Sequence, residues 1–76
     1  MNRSELDVIE AQLRAAAVAA DNSRQALRRL RVLARKGGAD SATVDRAAAD
    51  HRRNQAALTE SRKRLATAMR LYKATK

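Results

Sequence analysis

Apolar residues recur through the first half of the chain at steps of three and four: Leu6, Ile9, Leu13, Ala16, Ala20, Leu27 and Leu30, with Ser23 as the polar member of the series. That spacing places them on one side of an α-helix. A second series follows Gly37-Gly38 and runs Val44, Ala48, His51, Gln55, Leu58, Arg62, Leu65, Met69 and Tyr72. Folding the chain back at the glycines pairs the two. Leu6 meets Tyr72, Ile9 meets Met69, Leu13 meets Leu65, Ala20 meets Leu58, Leu27 meets His51 and Leu30 meets Ala48, and each pair of residue numbers adds to 78. The pattern predicts an all-α fold, an antiparallel two-helix coiled-coil hairpin. It forms a single domain over residues 1–76, with a helix over 4–36, a Gly-Gly turn over 37–41 and a helix over 42–74.

Local signals set these boundaries. Ser4 reads as the N-cap, with Asp7 three residues on as a capping-box acid. Glu5, Asp7 and Glu10 put negative charge where the helix dipole favours it, and Arg35 and Lys36 put positive charge at the other end. Gly37 or Gly38 can take the left-handed position that terminates a helix. Asp40 or Ser41 caps the second helix, which is expected to end near Tyr72 to Ala74 and fray at Lys76.

Charge comes in blocks. Residues 1–21 carry four acids and two bases, 22–36 six bases and no acid, 37–50 three acids and one base, and 51–76 eight bases and one acid, for a net +9. In the hairpin the basic 22–36 block lies beside the acidic 37–50 block, which favours this register over a slipped one. Three layers of the seam are weak: Ser23 faces Gln55, Leu27 faces His51, and Arg62 falls near Ala16.

Composition limits the stability available. The chain has no cysteine or proline, one histidine, and Tyr72 as its only aromatic residue, so the core is built from aliphatic residues and much alanine. Alanine buries little area at about 25 cal/mol per Å², and a chain of this size is marginal without further support. Self-association or docking on a partner is therefore expected. The longest uncharged apolar run, Ala15 to Ala20, is far short of a membrane span, and Met1 to Glu10 shows no apolar signal region. The expectation is a soluble, cytoplasmic chain without membrane insertion, or a hairpin cut from a larger protein.

Beyond the seam, Val18, Ala19, Ala26 and Leu33 on the first helix and Ala49 and Ala56 on the second extend the apolar surface. They are the candidate partner-binding residues, covered by another helical protein or by a second copy that closes a four-helix bundle. Arg24, Arg28, Arg31 and Arg35 form a stripe at helical spacing, flanked by Arg29 and Lys36. The stripe reads as a solvated face partly neutralised by Asp45 and Asp50, as a contact for an acidic protein, or as a grip on nucleic-acid phosphates. No aromatic side chain is available to stack on bases, since Tyr72 belongs to the core series and plugs the open end.

Catalytic chemistry is not expected. His51 has no second histidine or cysteine to share a metal, and reads as a seam residue whose protonation would place charge in the core. Gly37-Gly38 lacks the remaining glycines and the Lys-Ser/Thr pair of a phosphate loop. No carboxylate pair accompanies a nucleophile, so the chain is expected to be no enzyme, with no cofactor, no metal and no small-molecule substrate.

Two family resemblances follow. The all-helical pattern with the turn Arg35-Lys36-Gly37-Gly38 resembles the small E-type co-chaperones of the type III secretion needle subunit. That resemblance implies a cytoplasmic hairpin bound to a helical-repeat chaperone. The stretch from Leu30 to Ser41, followed by Val44-Asp45 and an Ala-rich helix, resembles the helical hairpin of bacterial periplasmic adaptor (membrane-fusion) proteins. There Arg29, Leu33 and Ser41 would correspond to the tip that docks on an outer-membrane channel. The expected function is a non-enzymatic helical protein-interaction module, a small subunit or co-chaperone of a bacterial secretion or export assembly. The alternative is a dimeric basic helical bundle that binds RNA or DNA through the arginine stripe.

Overall fold

The computed structural model describes residues 1–74. Two helices, α1 (Arg3–Arg35) and α2 (Ser41–Ala74), make up almost all of it. Gln12 reaches Arg64 and Ser23 reaches His51, so the helices run antiparallel. The hairpin measures 58 × 13 × 12 Å, with a radius of gyration of 17.1 Å. A compact chain of this length would have a radius of about 11 Å. The molecule is an elongated rod of two paired helices, and the expected hairpin is the fold. The fraying expected at Lys76 lies outside the described residues.

α1 is capped two residues before the Ser4 that the sequence suggests. Asn2 is the N-cap, in extended conformation, and its Oδ1 accepts from the Glu5 backbone N–H at 2.9 Å. Its Nδ2 donates in turn to Glu5 Oε1 at 3.4 Å. Asparagine caps as well as serine does. Glu5 is the residue that can close this reciprocal pair, which places the cap at Asn2 and leaves Ser4 inside the first turn.

The other end of α1 closes in two linked turns. Gly38 N–H donates to the Leu33 carbonyl at 2.8 Å and Gly37 N–H donates to the Ala34 carbonyl at 3.1 Å. This is the Schellman arrangement, which needs a left-handed residue after the C-cap. Gly37 supplies it at φ +81°, with Lys36 as the C-cap. Asp40 then caps α2, accepting from the Thr43 N–H at 2.8 Å.

The seam is thin. Four residues are buried, Leu6 and Ala68 at 2% exposure and Ala20 and Leu27 at 6%. On α1 the expected series holds: Ile9, Leu13, Ala16, Ser23 and Leu30 are half-buried between the three buried positions. On α2 the series is corrected. The residues that face α1 are Val44, Ala47, His51, Asn54, Leu58, Ser61, Leu65, Ala68 and Tyr72, with Ala48 half-buried beside them, while Gln55, Arg62 and Met69 lie exposed. Val44, His51, Leu58, Leu65 and Tyr72 belong to both series, and the difference falls on the residues between them. Burying Arg62 or Gln55 would strand long polar groups against aliphatic neighbours. Asn54, Ser61 and Ala68 are small and let the helices approach.

The register changes as a result. Ser23 pairs with His51 rather than with Gln55, one helical turn from the expected alignment. Carried along the hairpin, this places Leu6 opposite Ala68, Leu27 opposite Ala47 and Leu30 opposite Val44. The two least exposed residues, Leu6 and Ala68, are thereby brought to the same level.

Candidate interaction surface

Successive residues of a helix turn by about 100°, so the sides of α1 can be assigned from its seam. Arg24, Arg28, Arg31 and Arg35 lie about 90° to one side of it, and Val8, Ala15, Ala19, Ala26 and Leu33 about 100° to the other. Val18 and Val32 occupy the back of the helix, away from α2. Two cross-helix bonds mark the apolar flank. Asn54 Nδ2 donates to the Ala19 carbonyl at 3.3 Å, and Arg64 donates to Gln12 Oε1 at 3.5 Å.

The candidate partner residues do not form one surface. Ala19, Ala26 and Leu33 share the apolar flank of α1, and Val18 borders it. Ala49 and Ala56 each lie two positions from a seam residue of α2, and so sit nearly opposite that seam, on the outer side of the second helix. The unpartnered apolar area is therefore mainly a property of α1. Val8 is 56% exposed, Val18 60%, Leu33 45% and Val32 37%. Val8 and Val32 fall outside the seam series; Val8 is revealed by its recurrence with Ala15, Ala19, Ala26 and Leu33 on one flank of α1, and Val32 by its place with Val18 on the back of the helix.

Two grooves open from the rod. One, of about 600 Å³, is lined by Gln25, Arg28, Arg29, Val32 and Leu33, an apolar floor between guanidinium walls. The other, of about 310 Å³, lies at the open end between Met1, Ile9 and Leu71 on its apolar side and Lys63 and Arg64 on its basic side. Both are shallow and open to solvent.

The arginine stripe is less neutralised than the sequence suggests. Asp21 Oδ1 accepts from Arg24 at 2.7 Å and its Oδ2 accepts from Gln25 at 2.8 Å. The hydrogen bond from Arg24, reinforced by its charge and by Gln25, holds the Asp21 carboxyl below its ordinary value. Among the described residues, no carboxylate lies within ion-pairing distance of Arg28, Arg31 or Arg35. The expected screening by Asp45 and Asp50 does not form: Asp50 pairs along its own helix with Arg53, and among the described residues Asp45 takes part in no ion pair. The remaining pairs, Arg3 with Asp7 and Glu10, are likewise within α1. Among the described residues, no ion pair joins α1 to α2.

His51 sits in the seam, half-buried, with Nδ1 2.9 Å from Ser23 Oγ. Ser23 Oγ lies 3.0 Å from the Ala20 carbonyl and donates its one hydrogen there. The hydroxyl oxygen accordingly accepts from Nδ1–H, which defines the tautomer. Every buried side-chain polar atom among the described residues has a partner. The described residues contain no cluster of three or more histidine, aspartate or glutamate side chains able to hold a metal ion.

No known protein family, curated protein or solved structure matches the chain. Within the described residues, no helix is long and apolar enough to cross a membrane.

Proposed function

We propose that this chain is a non-enzymatic helical interaction module that lays α1 on a helical partner. The observation that carries this reading is the exposure of Val8, Val18 and Leu33, at 45–60%, on a helix whose seam toward α2 is already complete. Four buried residues are a slight core for a rod this long. Covering the outer side of α1 would add the apolar burial that the hairpin lacks. In the cell the module would be cytoplasmic, a small subunit or co-chaperone of a bacterial secretion or export assembly.

The test is retention of a helical protein from host extract on the immobilised chain at high salt. Val18→Arg should abolish retention while helix content by circular dichroism stays unchanged. Equal retention by the variant would refute the reading.

A second reading is favoured by Arg28, Arg31 and Arg35, which have no carboxylate within pairing distance among the described residues. Together with the net charge of +9, they suit contact with nucleic-acid phosphates. RNA or DNA binding would then weaken steeply with salt, and Arg28→Glu with Arg31→Glu would abolish it. Retention of full binding by that variant would remove this reading.

A further inference from the structure

We infer that the occupant of the α1 apolar flank is the same flank of a second copy, packed antiparallel, so that two hairpins join through α1. This rests on the interaction-module reading and names its partner. The flank is self-complementary when reversed. An antiparallel copy centred between Ala19 and Asn22 brings Val8 against Leu33, Ala15 against Ala26 and Ala19 against Asn22 of its mate. Large apolar side chains meet at both ends, and small residues meet in the middle, where two backbones must come closest. The intervening polar layer pairs Gln12 with Arg29. The same placement covers Val8 and Leu33, now 56% and 45% exposed, and brings the second helix over Val18, at 60%.

Charge selects the direction. Residues 1–21 carry two bases against four acids, and residues 22–36 carry six bases and no acid. Parallel packing would lay the two basic halves side by side. Antiparallel packing sets each basic half against the acidic half of the other copy, where opposite charges attract across the interface rim. Arg29 and Lys36, which border the flank on its outer side, are the bases of that half nearest the second copy. Two hairpins joined in this way have the four antiparallel helices of a bundle.

Sedimentation analysis over a range of concentrations is expected to show a monomer–dimer equilibrium. Ala26→Arg should weaken it at least tenfold with helix content unchanged, whereas Ala49→Arg, on the outer side of α2, should leave it intact. The chain has no cysteine, so orientation can be read by cross-linking. Under mild oxidation, a mixture of Ala15→Cys and Ala26→Cys chains should form a disulfide-linked dimer faster than either variant alone. A chain that stays monomeric, an Ala26→Arg variant that associates like the parent, or Ala15→Cys alone cross-linking as fast as the mixture would each overturn the inference. A monomer that still retains a helical protein at high salt overturns the inference and leaves the module reading standing. A monomer that retains none overturns both.

Discussion

Ser23 Oγ lies 2.9 Å from His51 Nδ1 across the two helices, and the same hydroxyl is 3.0 Å from the Ala20 carbonyl one turn back along α1. The serine is thus spent in both directions, donating to its own helix and accepting from the imidazole. Ser23→Ala would leave the half-buried Nδ1–H without a partner, at a cost of about 1 kcal/mol. The Ser23→Ala/His51→Leu double variant, which removes both polar groups, should recover most of that loss. Thermal unfolding followed by circular dichroism reads the comparison, and a double variant no better than Ser23→Ala would show that the pair is not coupled.

The two glycines of the turn should respond differently to alanine. Gly37 has φ +81°, and a Cβ there would meet nothing within 4 Å, so any penalty comes from the backbone alone. A left-handed alanine costs about 1 kcal/mol, which lowers Tm by about 4–8 °C in a domain of this size. At Gly38 φ is not positive, and the nearest neighbours of an added Cβ would be Leu33 Cδ2 and the Leu33 carbonyl oxygen at 3.5 Å, ordinary contacts. Gly38→Ala should leave Tm nearly unchanged. Equal losses at both positions would contradict the assignment of Gly37 as the left-handed residue.

Acid should loosen the start of α2. The Asp40 carboxylate accepts from Thr43, and that hydrogen bond holds its pKa below the ordinary value of 3.8. The carboxylate is the form that the fold prefers. Its contribution is therefore complete above the ordinary value and disappears as pH falls through the lower, folded-state value. Asp21, held down chiefly by Arg24, acts in the same direction. Asp40→Asn should keep the cap at neutral pH while flattening the acid limb of a Tm-against-pH curve. An unchanged acid limb in that variant would assign the loss to other carboxylates.

Substitutions at adjacent positions of α2 separate the two possible seams. Ala68 is 2% exposed and Met69 is 43% exposed. Ala68→Leu forces extra volume between the helices, at a cost of about 1–3 kcal/mol. Met69→Ser should shift stability by less than about 0.5 kcal/mol. The reverse order in chemical denaturation would restore the seam through Gln55, Arg62 and Met69.

The two helices, the place of the turn and the inward side of α1 follow from the sequence by itself. They depend on local properties: helical spacing, helix-favouring residues without an interior glycine or proline, and one glycine pair. The arginine stripe is legible for the same reason, since residues three and four apart share a side of one helix. The carboxylates that reach it are not legible, because they depend on the other helix. The inward side of α2 and the register are likewise decided only when the helices meet. His51, Leu58, Leu65 and Tyr72 fit two heptad series equally well, and hydrophobicity alone favours Met69 over Ala68. Packing reverses that preference. Small residues at 54, 61 and 68 let the helices approach, Asn54 finds the Ala19 carbonyl and His51 finds Ser23, whereas Arg62 would be buried without a partner.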